Sequence, residues 1–203
     1  MKNEKDNLYL KALKLSYITV GYNIIECIVS IFAGIIAGST ALLGFGSDSL
    51  VESLSGSIII WRFRKHGTVS IDEEELMEKK ATFLVGITFF IFGLYILYES
   101  IRKFLVADKP DPSIIGIMIA IASIIAMPLL FYAKYKTGKS LESKSLVADS
   151  KQTLICLFMS ISLLIGLGLN YIFGFWQADP IVGFIIVAFL FKEGYEIIFD
   201  KDH

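Results

Sequence analysis

Six long apolar stretches dominate this chain, and charged residues crowd between them. The stretches cover residues 15–36, 41–61, 81–105, 113–133, 146–171 and 180–199. A helix of about 20 apolar residues spans the hydrocarbon core of a bilayer, whereas an open sheet cannot satisfy its backbone in lipid. The pattern therefore predicts an all-α membrane protein with six transmembrane helices (residues 15–199), preceded by a segment of residues 1–14 and followed by a tail of residues 200–203.

The composition supports this prediction, because 55% of the residues are hydrophobic and only 19% are charged. Soluble domains carry roughly a quarter charged residues, so a solvated globule is excluded. The net charge of −1 gives no basic field that would attract nucleic acid. Both cysteines, Cys27 and Cys156, lie inside apolar stretches, which argues against a disulfide framework.

The basic residues predict the orientation of the spans. If the amino terminus is cytoplasmic, that side receives four Lys before span one, five Lys or Arg between spans two and three, four between spans four and five, Lys151 near the start of span five, and two near the carboxyl end. These are 16 of the 19 basic residues, so the positive-inside rule places both termini in the cytoplasm. The capping-box spacing of Ser70 and Glu73 predicts a helical approach to span three. Without a recognisable cleavable signal, we expect residence in a bacterial inner membrane.

Carboxylates inside the apolar stretches are the strongest functional signal. An ionisable group at membrane depth costs a few kcal/mol on insertion scales, so it needs a partner, a water-filled cavity or a function. Asp48 and Glu52 are four residues apart in span two and therefore share one helix face, where they can bind a cation together. An empty pair would repel and hold a proton. No Lys or Arg lies near them within the spans, so we do not expect a salt bridge.

Spans one and five each carry a polar stripe as well. The stripe of span five consists of Asp149, Gln152 and Cys156, and that of span one of Thr19, Asn23, Glu26 and Ser30. A rise of about 1.5 Å per residue places Glu52 at a depth of about 13 Å, Glu26 at about 16 Å and Cys156 at about 8–15 Å. We therefore expect these three groups to meet near the middle of the membrane.

Each of these side chains also has a structural interpretation. Asp149 is either a ligand or the amino-terminal cap of span five, with Lys151 extending to the interface. Glu26 is either a ligand or a hydrogen-bonding group between helices. Cys156 and Gln152 are ligand candidates by position, although a buried Cys is often a small hydrophobic residue.

Four motifs resemble the cation diffusion facilitator family in their order and spacing. They are AGSTALLGFGSDSLVESLSG in span two, ESIRKF at the end of span three, LVADSKQTL at the start of span five and ADPIVGFIIV in span six. The resemblance covers essentially the whole chain. It implies a homodimer of six-helix protomers that exchanges a divalent transition metal, usually zinc, against protons by alternating access.

The same resemblance implies a set of metal ligands. The family uses two acids four apart on span two, which correspond to Asp48 and Glu52, and two ligands four apart on span five, usually His and Asp, which correspond to Gln152 and Cys156. A Gln amide is a weak, hard donor and Cys is soft, so Asp149 or Glu26 is an alternative member of the set. Zinc is the leading candidate, and Fe, Co, Mn and Cd are alternatives. Because the chain stops at FDKDH, we expect a member that consists of the membrane domain alone.

We therefore predict a secondary transporter, not an enzyme, with the metal as cargo and no resident cofactor. Its expected partners are the divalent cation, protons, the lipid bilayer and a second copy of the chain. Two alternatives remain at this point: a structural or regulatory membrane subunit, and a proton-coupled carrier of a non-metal cation.

Overall fold

The computed structural model of the protein describes residues 2–37, 40–106, 114–173 and 178–199, and these form six α-helices. The helices are α1 (Lys2–Ala37), α2 (Thr40–Phe63), α3 (Ile71–Val106), α4 (Ile114–Leu141), α5 (Lys144–Phe173) and α6 (Ala178–Phe199). The predicted all-α fold with six helices is confirmed. Residue 113 of predicted span four and the tail of residues 200–203 lie outside the described residues.

The bundle is an integral membrane protein. Within the described residues, four helical segments are long and apolar enough to cross a membrane: Lys5–Ile36, Ile71–Val106, Ile114–Leu141 and Lys144–Ile165. Large apolar side chains such as Phe32, Ile125 and Leu129 are exposed on the outside of the bundle, where lipid would cover them. Helix α2 is less apolar because it carries two acids and several serines along its length.

The helices pack mainly in three pairs: α1 with α2, α3 with α6, and α4 with α5. Helix α5 also contacts α2, α3 and α6, so it lies at the centre of the bundle. The larger apolar core includes Phe89, Phe92, Ile155 and Leu190. This arrangement places the polar faces of α1, α2 and α5 towards the interior.

The turns that connect α2 to α3 and α4 to α5 are built from local polar contacts. Helix α3 begins with the predicted capping box, in which the Glu73 backbone N–H donates to Ser70 Oγ at 3.3 Å and the Ser70 N–H donates to Glu73 Oε2 at 2.9 Å. Helix α4 ends in a Schellman motif, because the Ser143 N–H donates to the Gly138 carbonyl at 2.9 Å and the Glu142 N–H to the Lys139 carbonyl at 3.2 Å. Glu142 has a φ of 56°, a conformation that favours glycine.

Candidate functional site

The polar faces of α1, α2 and α5 meet inside the bundle, and all six candidate site residues are buried. None of them is more than 4% exposed; they are Glu26, Asp48, Glu52, Asp149, Gln152 and Cys156. The rest of the polar stripe on α1 is buried with them, namely Thr19, Asn23 and Ser30. Buried polar groups are costly unless they are bonded, so the partners of each side chain indicate what it does.

Three carboxyl groups interact with the thiol of Cys156. The Cys156 Sγ donates to Glu26 Oε2 across 3.9 Å, and Asp48 and Glu52 are the other acids that interact with it. We call Glu26, Asp48, Glu52 and Cys156 the central cluster. Two of its buried oxygens, Asp48 Oδ2 and Glu52 Oε2, have no hydrogen-bond partner in the described part of the chain. A buried polar atom without a partner requires an explanation, such as strain, a catalytic role, or a bound water or ion.

Glu26 is held in place by hydroxyl groups from two other helices. Ser49 Oγ of α2 donates to Glu26 Oε2 at 2.7 Å, and Ser123 Oγ of α4 donates to Glu26 Oε1. Tyr22 OH shares a hydrogen bond of 2.9 Å with Ser123 Oγ. The carboxyl group of Glu26 is therefore oriented by its neighbours, and it contacts the thiol of Cys156 on α5.

A buried basic residue, Lys134, contradicts the expectation that no Lys or Arg lies near the carboxylates. Lys134 is 0% exposed, and its Nζ lies 2.5 Å from Asp149 Oδ2. It also donates to Thr153 Oγ1 at 2.8 Å, and Thr153 Oγ1 donates to Glu52 Oε1 at 2.6 Å. The prediction was wrong because α4 continues to Leu141. The bundle thus encloses the side chain of Lys134, which the positive-inside rule assigns to the cytoplasm.

Asp149 belongs to this ion pair. Besides Lys134, it accepts a hydrogen bond of 2.6 Å from Ser55 Oγ. The alternative that Asp149 caps span five is wrong, because α5 begins five residues earlier, at Lys144. Lys151 forms an ion pair with Glu193 of α6.

Gln152 is directed towards α3. Thr88 Oγ1 donates to the Gln152 amide oxygen at 2.9 Å. This oxygen is the atom of a Gln side chain that would bind a metal, and the bond from Thr88 engages one of its two lone pairs. Among the described residues, no three His, Cys, Asp or Glu side chains stand close enough to hold a metal ion without rearrangement. The structure thus brings Glu26, Asp48, Glu52 and Cys156 together, whereas Asp149 is engaged by Lys134 and Gln152 by Thr88.

Buried acids at the centre of a helical membrane bundle are typical of proteins that move ions or protons. A family model described as the cation efflux transmembrane domain matches residues 16–201. The chain therefore belongs to the cation efflux family, which confirms the resemblance found in the sequence.

Curated relatives match almost the entire chain. Transmembrane protein 163 of Xenopus laevis is 25% identical over 98% of this chain and 70% of its own length. Two proteins named "Cadmium, cobalt and zinc/H(+)-K(+) antiporter" also match: that of Bacillus velezensis is 25% identical over 95% of this chain and 62% of its own length. That of Bacillus subtilis is 24% identical over 99% of this chain and 65% of its own length. The chain thus spans less than two thirds of either antiporter.

Proposed function

We propose that this protein exports a divalent transition-metal cation from the cytoplasm in exchange for protons, by alternating access. The observation that carries the proposal is the pair of unpartnered, fully buried oxygens on Asp48 and Glu52, next to the thiol of Cys156. Carboxylate oxygens and a thiol together suit a borderline or soft divalent metal. Family membership and the names of the two Bacillus relatives point the same way.

The charge distribution explains why metal and protons would compete. The opposite charges of Lys134 and Asp149 cancel each other. The negative charges of Glu26, Asp48 and Glu52 therefore need another source of positive charge. A divalent metal or protons supply that positive charge, and metal binding releases protons from its ligands. Binding on the cytoplasmic side and protonation from the other side would then drive exchange.

Zinc is the leading cargo, with cadmium and cobalt next because the Bacillus relatives carry these names. Iron and manganese are further alternatives. We also propose a homodimer in a bacterial inner membrane, with both termini in the cytoplasm, because the basic residues favour that orientation.

A structural membrane subunit is the second candidate. It is favoured by the Lys134–Asp149 ion pair and by the hydroxyl groups that hold Glu26, since both serve helix packing without any transport. A proton-coupled carrier of a non-metal cation is the third. Metal-dependent flux separates these candidates.

The test uses proteoliposomes that contain a fluorescent zinc indicator and carry an imposed pH gradient. We expect zinc accumulation that depends on the gradient, and a loss of about 100-fold or more in Glu52→Gln. The matched control is Glu75→Gln, which removes an exposed carboxylate that pairs only with Lys79 in the described structure, and its flux should equal that of the wild type. Equal flux in Glu52→Gln, or no flux for any transition metal, would reject the proposed function.

A further inference from the structure

We infer that α1 supplies a metal ligand: Glu26 completes a site with Asp48, Glu52 and Cys156, and Gln152 is not part of it. The site takes a thiophilic divalent cation such as Zn²⁺ or Cd²⁺. This inference rests on the proposed function, which requires a metal site but does not fix its fourth ligand. The central cluster carries the argument through four independent observations.

The first is the distance between Glu26 and Cys156. A zinc ion binds a thiolate sulfur at about 2.3 Å and a carboxylate oxygen at about 2.1 Å, so two tetrahedral ligands of this kind lie about 3.6 Å apart. The observed separation of Cys156 Sγ and Glu26 Oε2 is 3.9 Å. A metal fits between these two atoms after a shift of a few tenths of an ångström, and it takes the place of the thiol proton that now joins them.

The second observation is the availability of the two acids on α2. Asp48 Oδ2 and Glu52 Oε2 are buried, and within the described residues neither has a partner. Thr153 holds the other oxygen of Glu52 at 2.6 Å, so Glu52 is oriented while one of its oxygens stays open. Both carboxyl groups interact with the thiol. Two unbonded ligand oxygens therefore belong to side chains that interact with the same thiol as Glu26, and binding of one metal by all four residues requires these side chains to move closer together.

The third observation is the support around Glu26. Hydroxyl groups of Ser49 and Ser123 donate to its two oxygens, and each oxygen retains a second lone pair for a metal. Hydrogen-bonded ligands of this kind are usual in metal sites, where they fix the direction of the donor. Glu26 is therefore built into the interior as an oriented acceptor.

The fourth observation concerns Gln152, whose amide oxygen accepts the hydrogen bond from Thr88 of α3. Ligation by Gln152 would either share this oxygen with Thr88 or break the bond, and it would supply a donor weaker than the carboxylate that α1 already presents. The difference in donor strength favours Glu26.

The experiment measures Cd²⁺ binding by purified protein in detergent, through the ultraviolet charge-transfer band of a cadmium–thiolate bond. All variants carry Cys27→Ala, so that the band reports Cys156 alone. We expect Glu26→Gln to weaken Cd²⁺ binding by about 100-fold or more, while Gln152→Leu changes it by less than about threefold. Cys156→Ser should abolish the band, because the band arises from the bond between Cd²⁺ and this thiolate.

Glu26→Gln keeps an amide oxygen that accepts from one of the two serines, and its NH₂ group can donate to the hydroxyl oxygen of the other, so we expect it to fold. Glu26→Asp is a second variant that keeps the charge but shortens the reach, and it should bind Cd²⁺ with an affinity between those of Glu26→Gln and the wild type. If Gln152→Leu loses Cd²⁺ binding and Glu26→Gln keeps it, the inference is wrong while the proposed function stands. If the wild type binds neither Cd²⁺ nor Zn²⁺, both are wrong.

Discussion

The buried Lys134–Asp149 ion pair makes a quantitative prediction about stability. Both side chains are 0% exposed, and Nζ and Oδ2 are 2.5 Å apart. Lys134→Met removes the cation but leaves the carboxylate of Asp149 buried, with Ser55 as its remaining donor among the described residues. Breaking a buried pair in this way costs about 3–5 kcal/mol. At roughly 2–4 °C per kcal/mol for a chain of this length, the midpoint of thermal unfolding should fall by about 6–20 °C.

Thermal unfolding in a mild detergent measures this change, with Lys136→Met as the matched control. Lys136 lies on the same helix but is exposed, so its replacement should shift the midpoint by less than about 2 °C. The double variant Lys134→Met/Asp149→Asn should recover most of the loss, because the amide is neutral and still accepts from Ser55. If Lys134→Met unfolds at the same temperature as Lys136→Met, the ion pair does not stabilise the bundle and the reasoning fails.

Two further predictions concern other contacts of the bundle. Glu142→Gly should raise the unfolding midpoint by about 2–4 °C, because glycine removes roughly 1 kcal/mol of strain at a φ of 56°; Glu142→Ala keeps that strain and should give no gain. Thr153→Val should cut the link between Lys134 and Glu52 and weaken Cd²⁺ binding by about tenfold in the absorption assay. Thr153→Ser, which keeps the hydroxyl group, should bind as the wild type does; equal binding by Thr153→Val would contradict the role of this link.

The lengths of the apolar stretches were sufficient to predict the six helices, because the bilayer requires a similar apolar length of every span. It could not locate the helix ends that lie in water: α1 begins at Lys2 and α3 at Ile71, well before the apolar stretches start. At α3 a local signal was available, since the capping box of Ser70 and Glu73 marks the true first turn. Helical spacing likewise predicted the buried stripe of α1 correctly.

The spacing of polar residues along the sequence could not predict which helices contact each other. Cys156 and Glu26 are 130 residues apart, and periodicity identifies the polar face of each helix without showing which faces meet. Lys134 was missed for a related reason. Its position just after an apolar stretch is typical of a basic residue at the membrane interface, and only the packing of α4 against α5 reveals that its ammonium group lies inside.

The central position of α5 has a consequence for how the protein would move. This one helix bonds to all five others: through Cys156 to α1, Thr153 to α2, Gln152 to α3, Asp149 to α4 and Lys151 to α6. Successive residues lie about 100° apart around a helix axis. A rotation of α5 by one residue position would therefore break these bonds together rather than one after another. Packed interfaces change between discrete arrangements and do not deform continuously. If the bundle opens as proposed, opening on either side should therefore be abrupt and should involve every helix at once.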